Sequence, residues 1–296
     1  MERAEPWFGR VFLLATVALV ASAVFGARLN DTTTLIVLVL GVVLLGLPHG
    51  ALDPLVARRV FATSGGYSSA AFYAVYLFAV LIYALLWIRF PTTGLAGFLI
   101  IASYHFGSDW YPRGTALTRL GYGLTVVTLP AALHGGTEAV IFSALGTHHA
   151  QSLVEISRVL APLAAIAGGA GAVLQFKERR RDLVEFVAIV AGALLLEPLV
   201  FFTCYFSLLH SPRHLLETAR ELGLITFHSI ARKSLPILIA TILLGLLFYA
   251  NLHGASMSGR IEMTVFIGLA ALTVPHMLLE TVATRIVRHR QTVEQV

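Results

Sequence analysis

Five of the chain's eleven histidines, His49, His105, His210, His214 and His276, fall inside long apolar runs. An ionisable side chain in such a run marks function before packing, and imidazole is the commonest metal ligand. His210 and His214 stand four apart, so on a helix they share a face and can address one ion. Pro212 between them removes a backbone donor, an irregularity that membrane helices tolerate mainly where they line a cavity. Carboxylates recur at the same spacing: Asp53 follows His49, Asp109 follows His105, Glu280 follows His276 and Glu138 follows His134, each by four residues. On an unbroken helix that spacing lets an acid accept the imidazole's free N–H and fix which nitrogen faces a metal. It also offsets the ion's charge in a medium of low dielectric. Asp53, Asp109 and Glu280 are therefore expected behind a layer of imidazoles that includes His276. The other histidines, His134, His148, His149, His253, His228 and His289, read as loop or rim residues.

All-imidazole ligation suits iron, copper or zinc. The lone Cys204 excludes an internal disulfide, a thiolate zinc site and a cysteine-held iron–sulfur cluster. Four histidines can close a structural tetrahedron around zinc, or leave two positions open on an octahedral Fe(II). A structural metal is poorly motivated in a bundle already held by lipid, which favours the open site. Tyr104, Phe106 and Trp110 bracket His105, while Phe201, Phe202, Tyr205 and Phe206 precede His210. These aromatics predict an apolar tunnel whose ring faces stabilise positive charge developing on a polyene.

The elements that must hold these residues are set by composition. Of the 296 residues 57 % are hydrophobic and only 12 % charged, about half the ~25 % charged expected of a globular domain. That excludes a soluble enzyme, a disordered chain and a coiled coil, and predicts a single all-α polytopic membrane domain over residues 1–296. Ten spans are expected, at 8–27, 35–56, 70–90, 94–111, 116–134, 153–176, 183–197, 198–221, 232–252 and 261–287. Asp31, Thr32 and Thr33 can cap the second and Ser68 the third. Basic clusters follow every even-numbered span: Arg58 and Arg59; Arg113 and Arg119; Lys177 and Arg179 to Arg181; Arg220, Arg232 and Lys233; Arg285, Arg288 and Arg290. By the positive-inside rule both termini are cytoplasmic, in the plasma membrane. The basic balance is then a topology signal, and no nucleic-acid partner is expected. Counted from the starts of their spans, the five histidines lie 11 to 16 residues in, roughly 17–24 Å at 1.5 Å per residue. They form one layer in the cytoplasmic half.

The strings Leu47-Pro48-His49-Gly50-Ala51-Leu52-Asp53, Tyr104-His105-Phe106-Gly107, His210-Ser211-Pro212-Arg213-His214 and Pro275-His276-Met277 resemble, in order and spacing, the Brp/Blh family of membrane β-carotene 15,15′-dioxygenases, over about residues 35–287. The resemblance implies O2-dependent cleavage of β-carotene at its central double bond to two molecules of all-trans-retinal, on a non-haem Fe(II). Carried over, the ligands are His49, His105, His210 and His214; His276 is read as a donor behind them, with a fifth ligand or a substrate-pocket residue as the alternatives. A functional link to a retinal-binding rhodopsin is implied as well. Two rivals remain at this point. A di-iron lipid desaturase or hydroxylase would need a denser histidine box, and an intramembrane metal or proton transporter would need polar groups through the full membrane thickness.

Overall fold

A computed structural model describes residues 6–61, 68–110, 114–175 and 180–294. Arg113, Lys177 and Arg179 of the basic clusters lie outside the described residues, as do the side chains of Trp110, Arg288, His289 and Arg290.

Among the described residues the regular structure is helical throughout. Helix α1 covers Pro6–Val24, α2 Asp31–Gly41, α3 Asp53–Phe61, α4 Ser69–Arg89, α5 Pro91–Gly107, α6 Ala116–Leu133 and α7 Gly135–Ala144. They are followed by α8 Ala150–Leu174, α9 Arg180–Leu195, α10 Pro198–Tyr205, α11 Ser211–Glu221, α12 Phe227–Asn251 and α13 Met257–Glu294. Starts follow the capping rules. Ser68 Oγ accepts from Ala71 N, and Thr115 and Thr226 serve α6 and α12 in the same way. At α2 the cap is Asn30, which accepts from Thr33 N; Asp31 sits in the first turn instead of capping it. Gly146 at φ +94° and Gly223 at φ +74° end α7 and α11 in the left-handed conformation that glycine adopts without strain.

Among the described residues seven helical stretches are long and apolar enough to cross a bilayer: Trp7–Val24, Asp31–Phe61, Ser69–Arg89, Ala116–Leu133, Ala150–Leu174, Phe227–Asn251 and Met257–Ile286. Their outward faces carry Leu14, Leu81, Leu163 and Leu243, all more than half exposed. Such a surface is an aggregation hazard in water and the expected one in lipid. The division expected at Glu197-Pro198 is present: α9 ends at Leu195 and Pro198 opens α10.

Two pairs of helices approach through small residues. A side chain at Gly121 would meet Ala164, Ala167 and Gly168 of α8, and one at Gly123 would meet the Ser103 carbonyl of α5 at 1.8 Å. Backbones approach this closely in membranes through glycine and alanine. Tight packing of α5 on α6 and α6 on α8 fixes the depth of His105.

Candidate metal centre

His105, His214 and His276 lie on the α-helices α5, α11 and α13, whereas the segments that carry His49 and His210 are not plain α-helix. Between α2 and α3 the chain widens into a π turn at Val42–Gly46 and then tightens into a 3₁₀ turn at Leu47–Leu52. Between α10 and α11 a second π turn covers Phe206–His210, immediately before Pro212. A proline without an N–H cannot complete the α ladder, and such wide turns cluster at functional sites. Gly46 lets the two π turns touch, since a Cβ there would lie 2.6 Å from the Phe206 ring.

These turns bring all five predicted histidines together. Ring centroids lie 5.7 Å apart for His49 and His210, 4.6 Å for His105 and His210, 4.7 Å for His210 and His214, and 5.4 Å for His105 and His276. His105, His210 and His276 are buried. Nitrogens of His49, His105 and His210 fall within 4.8 Å of one another, as do ligand atoms of His105, His276 and Glu280 and of Asp109, His210 and His214.

The carboxylates serve these rings across helices and seldom along them. Asp109 accepts from His210 Nδ1 at 2.9 Å and from Tyr205 Oη at 2.5 Å, and lies 3.2 Å from His214 Nε2. Asp53 accepts from His276 Nδ1 at 2.9 Å and from Tyr76 Oη at 2.8 Å. His49 Nδ1 instead donates to the Gly46 carbonyl. Neither Asp53 nor Asp109 reaches the histidine four residues before it. Around a 3₁₀ turn a residue four places on is rotated by about 120°, against about 40° in an α-helix, so Asp53 leaves the His49 face. The turn at Ser108–Trp110 moves Asp109 similarly. Glu280 alone keeps the expected relation, 3.4 Å from His276 Nε2, and also stands 3.8 Å from His214 Nδ1. The fourth spacing forms no pair, since His134 Nε2 donates to the Ala193 carbonyl at 3.0 Å.

The donor set fits a divalent ion. With their Nδ1 atoms engaged, His49 and His210 have Nε2 as the nitrogen that can meet an ion. His210 Nε2 lies 3.1 Å from His105 Nε2, the separation of two nitrogens that share one ion at ~2.1 Å and so lie about 3.0–3.4 Å apart. His105 Nδ1 and His276 Nε2 are buried without hydrogen-bond partners, a cost that an ion would remove. His276 stands between Asp53 on Nδ1 and Glu280 3.4 Å from Nε2.

The aromatics separate. Phe106 is buried with its ring 4.8 Å from that of His210, and Phe206 lies 5.9 Å from His49. Tyr205 is buried too, but its hydroxyl is spent on Asp109. Tyr104 is 66 % exposed on the outward side of α5, away from the histidines. Sequence reasoning missed Arg213 and Glu185. Arg213 donates to the Asp109 carbonyl at 3.3 Å and to Glu185 at 2.9 Å, and Glu185 also takes Arg181 at 2.7 Å. An acid inside the seventh apolar run and an arginine between two ligand candidates were the available signals.

Comparison with known proteins agrees with this chemistry. A family profile described as beta-carotene 15,15′-dioxygenase matches residues 40–283. The beta-carotene 15,15′-dioxygenase of uncultured marine bacterium 66A03 is 29 % identical over 252 residues, covering 80 % of this chain and 90 % of that protein. No solved structure matches. The matched region contains all five clustered histidines, and the chain belongs to the β-carotene 15,15′-dioxygenase family, as a carotenoid-cleaving dioxygenase.

Proposed function

We propose that this protein cleaves the central 15,15′ double bond of all-trans-β-carotene with O2 on a non-haem Fe(II), giving two molecules of all-trans-retinal. His49, His105, His210 and His214 are the proposed ligands, and Asp53, Asp109, Glu280 and His276 orient them. The observation that carries this is the 3.1 Å approach of His105 and His210 Nε2 within a buried imidazole cluster, in a chain of this family. Bound there, Fe(II) would supply the one-electron chemistry that lets O2 react with a closed-shell alkene.

The chain's own residues place the reactants. An alkene and O2 give two aldehydes with both oxygen atoms retained and no net proton exchanged. Asp109 and Asp53 therefore serve as anions that fix ring orientation and balance charge. Phe106 and Phe206 flank His210 and His49 and keep water from the cluster. The proposed setting is a ten-span bundle with both termini cytoplasmic, in the plasma membrane. It would take its substrate from the bilayer and release retinal to a membrane where a rhodopsin could use it.

Expression in β-carotene-accumulating cells, with chromatography of the pigments, tests this reading. Retinal should appear in air and not under anaerobic conditions, with about one iron per chain. Unchanged β-carotene from folded, iron-loaded protein would overturn the activity, and two irons per chain would point to di-iron chemistry.

A further inference from the structure

Beside the histidines lies a cavity of about 80 Å³ whose lining is apolar except at one place. Leu95, Phe98, Ala102 and Phe106 of α5 form one wall, with Phe202 opposite. From Leu95 to Phe106 the helix rises about 16 Å, comparable with half of an extended forty-carbon carotenoid from central bond to end ring. Phe106 marks the histidine end. α7 lines the other end, and the turn that follows it is tied to the end of α4 and the start of α5. There Leu145 accepts from Trp87 at 3.1 Å, and Thr147 bonds Thr92 at 2.6 Å.

Glu138 of α7 is the one polar side chain in the lining. It is 9 % exposed and has no hydrogen bond or ion pair among the described residues. Its neighbours are committed elsewhere: His134 to the Ala193 carbonyl and Arg158 to Glu155 at 2.7 Å. A hydrocarbon ring needs no polar group beside it, and burying a carboxyl without a partner is costly. Such a group is retained without gain unless an occupant of the cavity meets it.

We propose that Glu138 is a specificity residue which hydrogen-bonds a hydroxyl on the end ring of a carotenoid whose central double bond lies at the histidines. The proposal rests on the carotenoid-cleavage reading and extends the substrate class to ring-hydroxylated carotenoids. Burial raises the Glu138 carboxyl to about 7, so near neutrality it can either donate to or accept from such a group. The cavity is below the ~300–1,000 Å³ of ordinary ligand sites, so a ring is admitted when a lining aromatic such as Phe202 turns aside.

The test compares β-cryptoxanthin, which carries one ring hydroxyl, with β-carotene on the purified full-length protein. It uses wild type, Glu138→Leu and Glu138→Gln, and reads both kcat/KM and binding by quenching of tryptophan fluorescence. The preference for β-cryptoxanthin over β-carotene should fall at least tenfold in Glu138→Leu. Glu138→Gln, which can still donate and accept, should recover part of it. An unchanged ratio with both carotenoids cleaved would overturn the role of Glu138 and leave the cleavage reading intact. A fallen binding ratio without cleavage of either would overturn the cleavage reading and keep Glu138. Failure of wild type to bind either polyene would overturn the cavity as the substrate site.

Discussion

Asp109 is the residue on which most of the site converges, because its buried carboxylate takes Tyr205, His210 and His214 together. Carboxylates behind metal-bound histidines typically govern affinity by 10–100-fold. Asp109→Asn is therefore expected to lower iron affinity by roughly that factor, measured by competition with a chelator, while helical content stays the same. Tyr205→Phe removes one of three donors and should cost less; equal losses would mean that Asp109 acts through Tyr205 and not through the rings. Glu138 gives the pH dependence. Its carboxyl titrates near 7 when folded and near ~4.3 in an unfolded chain. Below pH 4 both states are protonated and the group contributes nothing, whereas ionisation above pH 7 opposes folding by about 4 kcal/mol. Glu138→Gln should thus melt with wild type at pH 4 and increasingly above it from pH 5 to 7.5 in detergent, and a constant gap would refute the assignment. Which histidines meet was legible from their common depth. Which acid serves which histidine was not, because spacing of four predicts a partner only while the helix stays α, and Leu47–Leu52 does not.

The same limit applies at the scale of elements. Pro212 announced irregular helix, but the π turns at Val42–Gly46 and Phe206–His210 meet through contact between the two segments, Gly46 against Phe206. A single stretch of sequence does not contain that contact. Two of the stretches that bear the chemistry, those of His105 and of His210 and His214, fall short of a plain spanning helix. α5 has 17 residues, and α10 and α11 are separated by a π turn. Histidines, prolines and the half-buried Arg213 displace the apolar residues that would make these segments obvious, and irregular backbone at membrane depth persists where protein surrounds it. Position then depends on close packing. Because a Cβ at Gly123 would fall 1.8 Å from the Ser103 carbonyl, with the Gly107 nitrogen at 2.7 Å, Gly123→Ala must push α5 away from α6. Overpacking of this kind costs ~1–3 kcal/mol or more, and here it also displaces His105. The variant should show a lower melting temperature together with weakened iron binding. Gly136→Ala, with open space around its Cβ, should show neither, and native iron affinity in Gly123→Ala would separate α5 placement from the metal.

For the whole molecule, the distribution of basic residues makes a claim that packing does not test: both termini on the cytoplasmic side, and hence each loop assigned to a face. Helix α12 is the place to test it. Its 25 residues reach about 37 Å, enough to cross a ~30 Å hydrocarbon core, so the loops at its two ends must lie on opposite sides. Ile225, before α12, is 94 % exposed, and Ala255, after it, is exposed as well. Arg220, Arg232 and Lys233 cluster around the first loop and so assign it to the cytoplasm. The sole native cysteine, Cys204, is 5 % exposed and contributes little background to thiol labelling. In intact cells a membrane-impermeant maleimide should label Ala255→Cys, and it should label Ile225→Cys only after permeabilisation. The reverse pattern would invert the bundle and move the histidine layer to the outer half of the membrane. Labelling of both in intact cells would mean that α12 does not cross, and the proposed ten spans would have to be redrawn around it. The expected pattern fixes the histidine layer in the cytoplasmic half and the Glu138 end of the cavity toward the outer face. A long polyene held between them would lie along the bilayer normal, in the direction that α5 already runs.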